Sequence, residues 1–361
     1  MQNRRQTSSK TLTPSRRYGK PSLPLLLQKT SFFEENDILA AKQAKIARVY
    51  RKQPRRTRCM NCAARMDGQS DFVKNGIDYL ICSRCQHLNG AFECTEEFCN
   101  GLYAKDSGED YAKTFYKVEN IDRYNYRMAS IYVPKAEFLC TSLLNDKVDP
   151  YGLEYFDFGA GSGYFVAALK NMGLKNVGGS DISRSQVEYG NAMLAAEYLH
   201  VHDMNETDKI LADCTAQVVS LIGVLEHLHN PRAAIAALRS NPNVKYVFIL
   251  VPTFSLSVFL EILSPGLFHR HLTGGHTHLY SRASLEHLCS EFGFAAIAEW
   301  WFGTDMVDLF RHITVTMHKQ NFSPRLKERW RREFMPLIDA LQLEVDKNHF
   351  SSEVHMLWKK Q

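Results

Sequence analysis

The sequence has no uninterrupted apolar run approaching the roughly 18 residues of a membrane-spanning helix, so we predict no membrane span. Its 20 glycines and 12 prolines in 361 residues are too few for a fibrous or broadly disordered chain. A signal-peptide core is also lacking near the start, because the run from Leu23 to Leu27 is short and contains Pro24. The remaining composition, 45% hydrophobic and 23% charged, is typical of one large or two modest globular domains.

Acidic residues are absent from residues 1–30, which contain seven Lys and Arg. Residues 1–58 carry 15 basic residues against 3 acidic ones, whereas the rest of the chain carries 29 against 36. The net charge of +5 therefore belongs to an N-terminal segment and does not indicate a nucleic-acid-binding core. We expect a basic disordered tail over residues 1–33, with an organelle transit peptide as the alternative, followed by a helix within residues 34–58.

Four of the nine cysteines form two C-x-x-C pairs, Cys59 with Cys62 and Cys82 with Cys85. Two such pairs, separated by a segment that predicts a hairpin at Asn75-Gly76, are typical of a zinc ribbon, which we place at residues 59–100. Four thiolates leave no open coordination position, so this Zn²⁺ would be structural. The alternative is a pair of redox or disulfide-forming motifs. The many unpaired thiols favour a reducing compartment, and we expect a cytoplasmic protein.

A glycine-rich turn follows the apolar strand predicted at Tyr155–Phe158. Its spacing, Gly159-x-Gly161-x-Gly163, differs from the dinucleotide fingerprint, which would place its third glycine where this chain has Tyr164. A strand, a glycine turn and a helix bring backbone amides close to a ligand. Asp157, two residues before the first glycine, suits an ammonium-bearing ligand better than a pyrophosphate.

The next predicted strand ends at Asp181, at the position where such folds hold the hydroxyls of a ribose. The alternative is that Asp181 only begins a helix. Further βα units follow, with buried strands predicted at residues 216–222 and 244–251. Repeated βα units indicate a parallel sheet with right-handed crossovers.

Over roughly residues 135–320 the chain resembles the class I S-adenosylmethionine-dependent methyltransferases. The motifs that carry this resemblance are the segment from Phe156 to Gly163, Asp181, and the segment from Val224 to Pro231. The resemblance implies an α/β fold with a Rossmann-like seven-stranded class I methyltransferase sheet, preceded here by the small four-cysteine zinc ribbon. Its final antiparallel hairpin would be formed by residues 295–301 and 313–317.

The same resemblance assigns contacts with S-adenosylmethionine. Asp157, Gly159, Gly161 and Gly163 would hold the methionine end, and Asp181 would bind the ribose. Ile182 would pack on the adenine, Asp203 and Met204 would contact the adenine edge, and Gly223 would also lie against the cofactor.

Histidines are the natural bases for methyl transfer to a hydroxyl near neutral pH. His227 follows the fourth strand of the sheet, and a loop after the fifth strand contains His269, His271, His276 and His278. We take His227, His276 and His278 as the catalytic candidates. His227 could instead be a hydrogen-bonded structural residue. A metal site in the loop is a further alternative, but no carboxylate near it in sequence completes one.

Two subfamilies are similar in part. Ubiquinone-pathway O-methyltransferases have a metal-binding Glu where this chain has Gly223, which argues against that metal. Deoxysugar C-methyltransferases share an N-terminal cysteine zinc module and a histidine matching His227, but have a larger C-terminal domain than residues 321–361, where we expect a helix and a strand. The resemblance is therefore to zinc-ribbon sugar and polysaccharide-type methyltransferases generally.

Aromatic and basic residues alternate over residues 101–134. We interpret this segment as a lid that covers the pocket, or alternatively as helices that pack on the sheet. The members are Tyr111, Lys113, Phe115, Tyr116, Lys117, Arg123, Tyr124, Tyr126, Arg127 and Tyr132.

The leading hypothesis is an enzyme that methylates a small molecule, at a hydroxyl group of a sugar nucleotide or glycan precursor. A homo-oligomer is one option for its assembly. An RNA methyltransferase that grips phosphates with its basic tail and ribbon is the first alternative. The acidic body of the chain argues against it. The second alternative is a binding protein that keeps the fold without catalysis.

Overall fold

The computed structural model describes residues 13–28, 32–104, 120–267, 270–272 and 275–361. Several features singled out in the sequence lie outside these residues: the first twelve residues of the basic segment, Tyr111, Lys113, Phe115, Tyr116 and Lys117 of the expected lid, and His269.

The fold is built around an eight-stranded sheet with the order β1-β11-β12-β9-β8-β5-β6-β7. Strands β5 to β9 run parallel to one another, and β12 runs antiparallel to both of its neighbours, β9 and β11. The strands are β1 Ser15–Tyr18, β2 Phe72–Lys74, β3 Ile77–Ile81, β4 Leu88–Gly90, β5 Tyr155–Phe158, β6 Val177–Asp181, β7 Leu199–Val201, β8 Val218–Ile222, β9 Tyr246–Pro252, β10 His278–Leu279, β11 Phe294–Phe302 and β12 Glu353–Lys360. The seven strands other than β1 have the class I methyltransferase arrangement, which confirms the predicted fold class.

Helices cover both faces of this sheet and pack on two apolar cores. One core surrounds Phe165, Phe248 and Trp300, and the other surrounds Leu221 and Trp358. The helices are α1 Leu23–Gln28, α2 Phe32–Tyr50, α3 Glu96–Cys99, α4 Ile121–Arg127, α5 Val133–Asn145, α6 Tyr164–Asn171, α7 Arg184–Leu194, α8 Thr207–Asp213, α9 Pro231–Ser240, α10 Leu256–Leu263, α11 Arg282–Glu291, α12 Asp305–Lys319, α13 Pro324–Phe334 and α14 Ile338–Lys347. Within the described part of the chain, no helix combines the length and apolar character needed to cross a membrane.

The last strand of the sheet lies far from its predicted position. Residues 313–317 belong to helix α12, whose buried residues Met306, Val307 and Phe310 recur at helical spacing. The strand expected there is instead β12, and its central residues are buried on both faces. The predicted boundary at residue 320 is therefore wrong as an end of the catalytic fold, because the seventh strand of the sheet follows it.

Part of the segment expected to be a disordered tail is ordered. Strand β1 pairs in parallel with the outer edge of β11, and the indole nitrogen of Trp300 donates to the carbonyl of Gly19 at 2.9 Å. The guanidinium of Arg17 lies 4.0 Å from the centre of the Trp300 ring. These contacts hold residues 15–19 in place, because β1 pairs with the backbone groups at the open edge of β11 and Arg17 covers the Trp300 indole.

The ribbon forms a second, antiparallel sheet with the order β10-β4-β3-β2. Asn75 and Gly76 have positive φ in the turn between β2 and β3, as the predicted hairpin requires. The fourth strand, β10, comes from the histidine-containing loop of the catalytic module and pairs with β4. The ribbon is therefore joined directly to the loop in which we expected catalytic residues.

Candidate functional site

A cavity opens at the carboxyl ends of strands β5, β6 and β8, where ligands bind in open α/β sheets. It combines the glycine turn, Asp157, Asp181 and His227. The lining residues are Tyr103, Tyr132, Asp157, Phe158, Gly159, Ala160, Gly161, Ser162, Tyr164, Phe165, Asp181, Ile182, Ser183, Gln186, His202, Met204, Thr207, Ile222, Gly223, Val224, His227, Leu228 and His229.

The three glycines of the turn all have positive φ, 72° at Gly159, 55° at Gly161 and 70° at Gly163. A Cβ on Gly159 would lie 2.4 Å from Cγ2 of Val224. Glycine is therefore required at this position both by the backbone conformation and by the close approach of the loop after β8.

Asp157 is buried at the cavity wall, and the hydroxyl of Ser220 donates to its Oδ1 at 2.5 Å. Burial raises the pKa of Asp157 to about 7, while the Ser220 hydrogen bond and the Lys135 charge oppose that shift. A cationic ligand group beside this carboxyl group would stabilise its ionised form, which burial disfavours.

The carboxylate of Asp181 accepts two backbone hydrogen bonds, from Gly161 N–H at Oδ2 and from Ser183 N–H at Oδ1, both at 2.8 Å. Burial raises its pKa, and these amide donors act in the opposite direction. Asp181 thus braces the glycine turn in addition to lining the cavity. If Asp181 only began the next helix, as the alternative interpretation has it, its hydrogen bond from Gly161 would have no explanation.

Of the residues expected at the adenine, Ile182 and Met204 line the cavity, but Asp203 does not. The exposed Asp203 carboxylate accepts from the backbone N–H of Asn205 at 3.1 Å and caps the turn that begins there. His202 lies in the wall instead, with its ring 4.9 Å from that of Phe158. Sequence reasoning missed His202; its position just after β7 is the only signal that could have indicated it.

His227 and His276 lie side by side, with ring centres 4.8 Å apart. The hydroxyl of Tyr103 lies 2.7 Å from Nδ1 of His227 and donates to the carbonyl oxygen of Gly275 at 2.9 Å. Burial lowers the pKa of His227 well below its ordinary value and that of His276 to about 4. Both imidazoles are therefore neutral at pH 7, the state in which an imidazole accepts a proton or binds a metal.

Glu226 is the carboxylate that sequence spacing did not connect with the histidine loop. It is only 3% exposed, and its Oε1 lies 3.9 Å from Nε2 of His227. Burial raises the pKa of Glu226 to about 8. One ligand atom from each of Glu226, His227 and His276 can lie within 4.8 Å of the others. No carboxylate lies near the histidine loop in sequence, but the fold brings Glu226 close to His276.

None of His271, His276 and His278 belongs to the described cavity wall, and His276 adjoins it only through its contact with His227. His278 is fully buried in β10, where its Nδ1 lies 2.9 Å from Nε2 of His87 in the ribbon. The backbone of His271 donates to Glu261, which forms a buried ion pair with Lys74. These positions argue for structural roles, because neither imidazole faces the space where an acceptor would lie.

The four ribbon cysteines have converged as the spacing predicted, with Sγ atoms 3.7 Å apart for Cys59 and Cys85 and 3.6 Å apart for Cys62 and Cys82. The side-chain amides of Asn89 and Asn61 lie 3.5 Å from the sulfurs of Cys59 and Cys85. Four converging cysteine sulfurs supported by N–H donors fit Zn²⁺, which binds four thiolates in tetrahedral geometry.

The segment expected to be a lid is represented by two tyrosines at the cavity. Tyr103, from the helical turn Asn100–Ala104, contacts His227, and Tyr132 stacks on Tyr164 with ring centres 5.2 Å apart. Tyr124 packs against Tyr164 as well, at 4.4 Å. The described part of this segment thus both lines the cavity and packs on α6.

Residues 130–299, slightly less than half of the chain, match the family model of a methyltransferase domain. No curated protein matches the sequence. Among solved structures, magnesium protoporphyrin IX methyltransferase from Synechocystis PCC 6803 is similar at 16% identity and a TM-score of 0.44, over 72% of this chain and 97% of that one. A putative sarcosine dimethylglycine methyltransferase from Galdieria sulphuraria is similar at 14% identity and a TM-score of 0.44, over 72% of this chain and 98% of that one. The plantazolicin methyltransferase BpumL is similar at 12% identity and a TM-score of 0.43, over 73% of this chain and 94% of that one.

Proposed function

Since residues 130–299 match the family model of a methyltransferase domain, we propose that the chain uses S-adenosylmethionine to methylate a hydroxyl of a small molecule, a sugar nucleotide or glycan precursor. The observation that carries this proposal is the cavity itself, which has the glycine turn and Asp181 at one part of its wall and His227 at another. In this proposal the cofactor lies along the turn, and the acceptor hydroxyl lies between the cofactor and the imidazole.

The cofactor contacts follow from the chemistry of the wall. Asp157 and the turn glycines receive the methionine end, because a buried carboxylate stabilises an ammonium group. Asp181 accepts from the ribose hydroxyls, and Ile182 and Met204 pack on the adenine. Gly223 also lines the cavity, and in this proposal it lies against the cofactor.

Methyl transfer is an in-line displacement that forms an oxygen–carbon bond while the carbon–sulfur bond breaks. The electron pair of that bond stays on sulfur, which leaves as a neutral thioether. The acceptor must also lose its hydroxyl proton, and we propose that His227 or its neighbour His276 takes it as a general base. Their neutrality at pH 7 supports this role, although imidazoles with such low pKa values are weak bases.

A sugar as the acceptor is supported by the resemblance of the motifs and by the aromatic side chains Tyr103 and Tyr132 at the cavity, on which the apolar face of a sugar ring can pack. The test is methyl transfer from isotope-labelled S-adenosylmethionine to a panel of sugar nucleotides and their deoxy analogues. We expect incorporation that is lost when one particular hydroxyl is missing. Incorporation that is unaffected by removal of any hydroxyl would contradict the proposal.

RNA remains the second candidate because helix α2 and the turn that follows it present exposed basic side chains, Lys42, Lys45 and Arg48 on the helix and Arg51 and Lys52 in the turn. Such side chains can neutralise phosphates, and their binding would weaken steeply with salt. Methyl incorporation into RNA, with salt-sensitive retention of that RNA, would favour this candidate over a sugar.

A further inference from the structure

Three metal-ligating side chains converge beside the cavity, although they come from separate parts of the chain. Glu226 and His227 lie in the turn after β8, and His276 lies in the loop before β10. The ligand atoms that they offer lie within 4.8 Å of one another. Two imidazole nitrogens and one carboxylate are a set that binds divalent transition-metal ions and leaves coordination positions open.

The hydrogen bonds of the two histidines direct one particular nitrogen of each toward such an ion. Because the Tyr103 hydroxyl donates its single proton to Gly275, it accepts from Nδ1–H of His227, which puts the lone pair of that imidazole on Nε2. Nδ1–H of His276 donates to the carbonyl oxygen of His271 at 2.8 Å, which likewise puts the lone pair on Nε2. Metal-binding histidines are commonly oriented in this way, by a hydrogen bond from the other ring nitrogen.

Glu226 supplies an independent indication of a missing ligand. Its side chain is 3% exposed, and no hydrogen bond from the described residues reaches Oε2. A buried carboxylate oxygen without a donor is costly, and a bound cation would satisfy it. Gly223, which lines the cavity, adjoins this carboxyl group, since an added Cβ would lie 3.6 Å from Oε1 of Glu226. Gly223 itself supplies no ligand, and His276 completes the set of three instead.

We propose that Glu226, His227 and His276 bind one divalent transition-metal cation at the acceptor end of the cavity. The role of this cation rests on the proposed function: an acceptor hydroxyl that fills an open position would lose its proton to solvent more readily and then attack the methyl carbon. With the cation bound, the two imidazoles act as ligands, and the cation replaces the free histidine base. Binding of the metal itself does not depend on the identity of the acceptor.

The test is a titration of the full-length, zinc-supplemented protein with Mn²⁺ alone, followed through the electron paramagnetic resonance signal of free Mn²⁺. Mn²⁺ prefers oxygen and nitrogen ligands, so the ribbon thiolates retain their Zn²⁺. We expect one Mn²⁺ per chain in the wild-type protein. Glu226→Gln and His276→Gln should each weaken this binding at least tenfold, and Tyr103→Phe should weaken it by about 10- to 100-fold, the usual effect of losing an orienting partner.

His200→Gln is the matched control, since His200 is exposed on β7 and should bind Mn²⁺ as the wild type does. Circular dichroism checks that each variant is folded, and His276→Gln, in a loop, serves if Glu226→Gln does not fold. Absence of Mn²⁺ binding by the folded wild type, or equal binding by wild type and His276→Gln, overturns the proposal. Because no cofactor or acceptor is present, either result is separate from failure of the methyl-transfer proposal.

Discussion

Nε2 of His87 and Nδ1 of His278 lie 2.9 Å apart and join the cysteine ribbon to the loop that contains His276. The pairing of β4 with β10 runs beside this hydrogen bond, and Gly90 N–H donates to the carbonyl of Thr277 at 2.9 Å. The ribbon therefore supports the loop at one wall of the candidate site. Its folding and that of the site should be coupled.

Removal of one ribbon ligand tests this coupling. In Cys82→Ser, we expect loss of bound Zn²⁺ and a methyl-transfer rate reduced about tenfold or more, because β4 no longer holds the histidine loop. Affinity for S-adenosylmethionine should change much less, since the glycine turn is not in the ribbon. Metal analysis and rate measurements check this, with Cys214→Ser as the control. Full activity in zinc-free Cys82→Ser would show that the ribbon does not support the site.

Cofactor affinity should depend on pH through Asp157, whose pKa burial raises to about 7. Below pH 7 the carboxylate becomes protonated and loses its attraction for the cofactor ammonium. Above about pH 8 the ammonium itself deprotonates, as α-amino groups do. We expect the Kd for S-adenosylmethionine to rise up to about tenfold between pH 7.5 and pH 6, and Asp157→Asn to bind weakly with no such rise. A wild-type Kd that stays constant over this range contradicts the assignment.

Gly159→Ala should damage the glycine turn. The substitution places a Cβ at a residue with φ of 72° and within 2.4 Å of Val224 Cγ2. We expect a loss of about 1–3 kcal/mol in the free energy of unfolding, together with weaker cofactor binding. Combining it with Val224→Ala should restore part of the loss. Gly266→Ala is the control because its added Cβ would meet no atom within 4 Å.

Arg17 should contribute to stability although it lies in a segment that the sequence predicts to be disordered. Arg17→Ala removes the guanidinium from the Trp300 ring, and we expect the free energy of unfolding to fall by about 1 kcal/mol. Denaturant unfolding measures this change against Arg325→Ala, a substitution at an exposed position of α13. If both variants unfold alike, the contact of Arg17 with Trp300 adds nothing to the stability of the sheet.

Local patterns predicted those parts of the fold whose signals are contiguous in sequence. The glycine turn after β5, Asp181 at the end of β6 and the two C-x-x-C pairs each lie within a few residues, and the structure has them where they were expected. Long-range pairings were not accessible in this way. The choice of β12 over residues 313–317 as the seventh strand depends on which segment fits between β9 and β11.

The candidate site shows the same division. His227 was identified from its position after a strand. Tyr103 becomes relevant only when the fold brings it to His227, and Glu226, the neighbour of His227 in sequence, only when the fold brings both to His276. His278 was favoured because it lies in a histidine-rich loop, but pairing of β10 with β4 turns it into the ribbon. Sequence spacing cannot tell which side chains of such a loop face the cavity.

The central claim is that the cavity beside the glycine turn binds S-adenosylmethionine. Isothermal titration of S-adenosylmethionine and S-adenosylhomocysteine into the zinc-loaded protein tests it most directly, with Asp181→Ala as the disrupted variant and Asp203→Ala as a variant outside the cavity lining. We predict saturable binding of both ligands, lost in Asp181→Ala and retained in Asp203→Ala. Failure of the folded wild-type protein to bind either ligand would contradict the account.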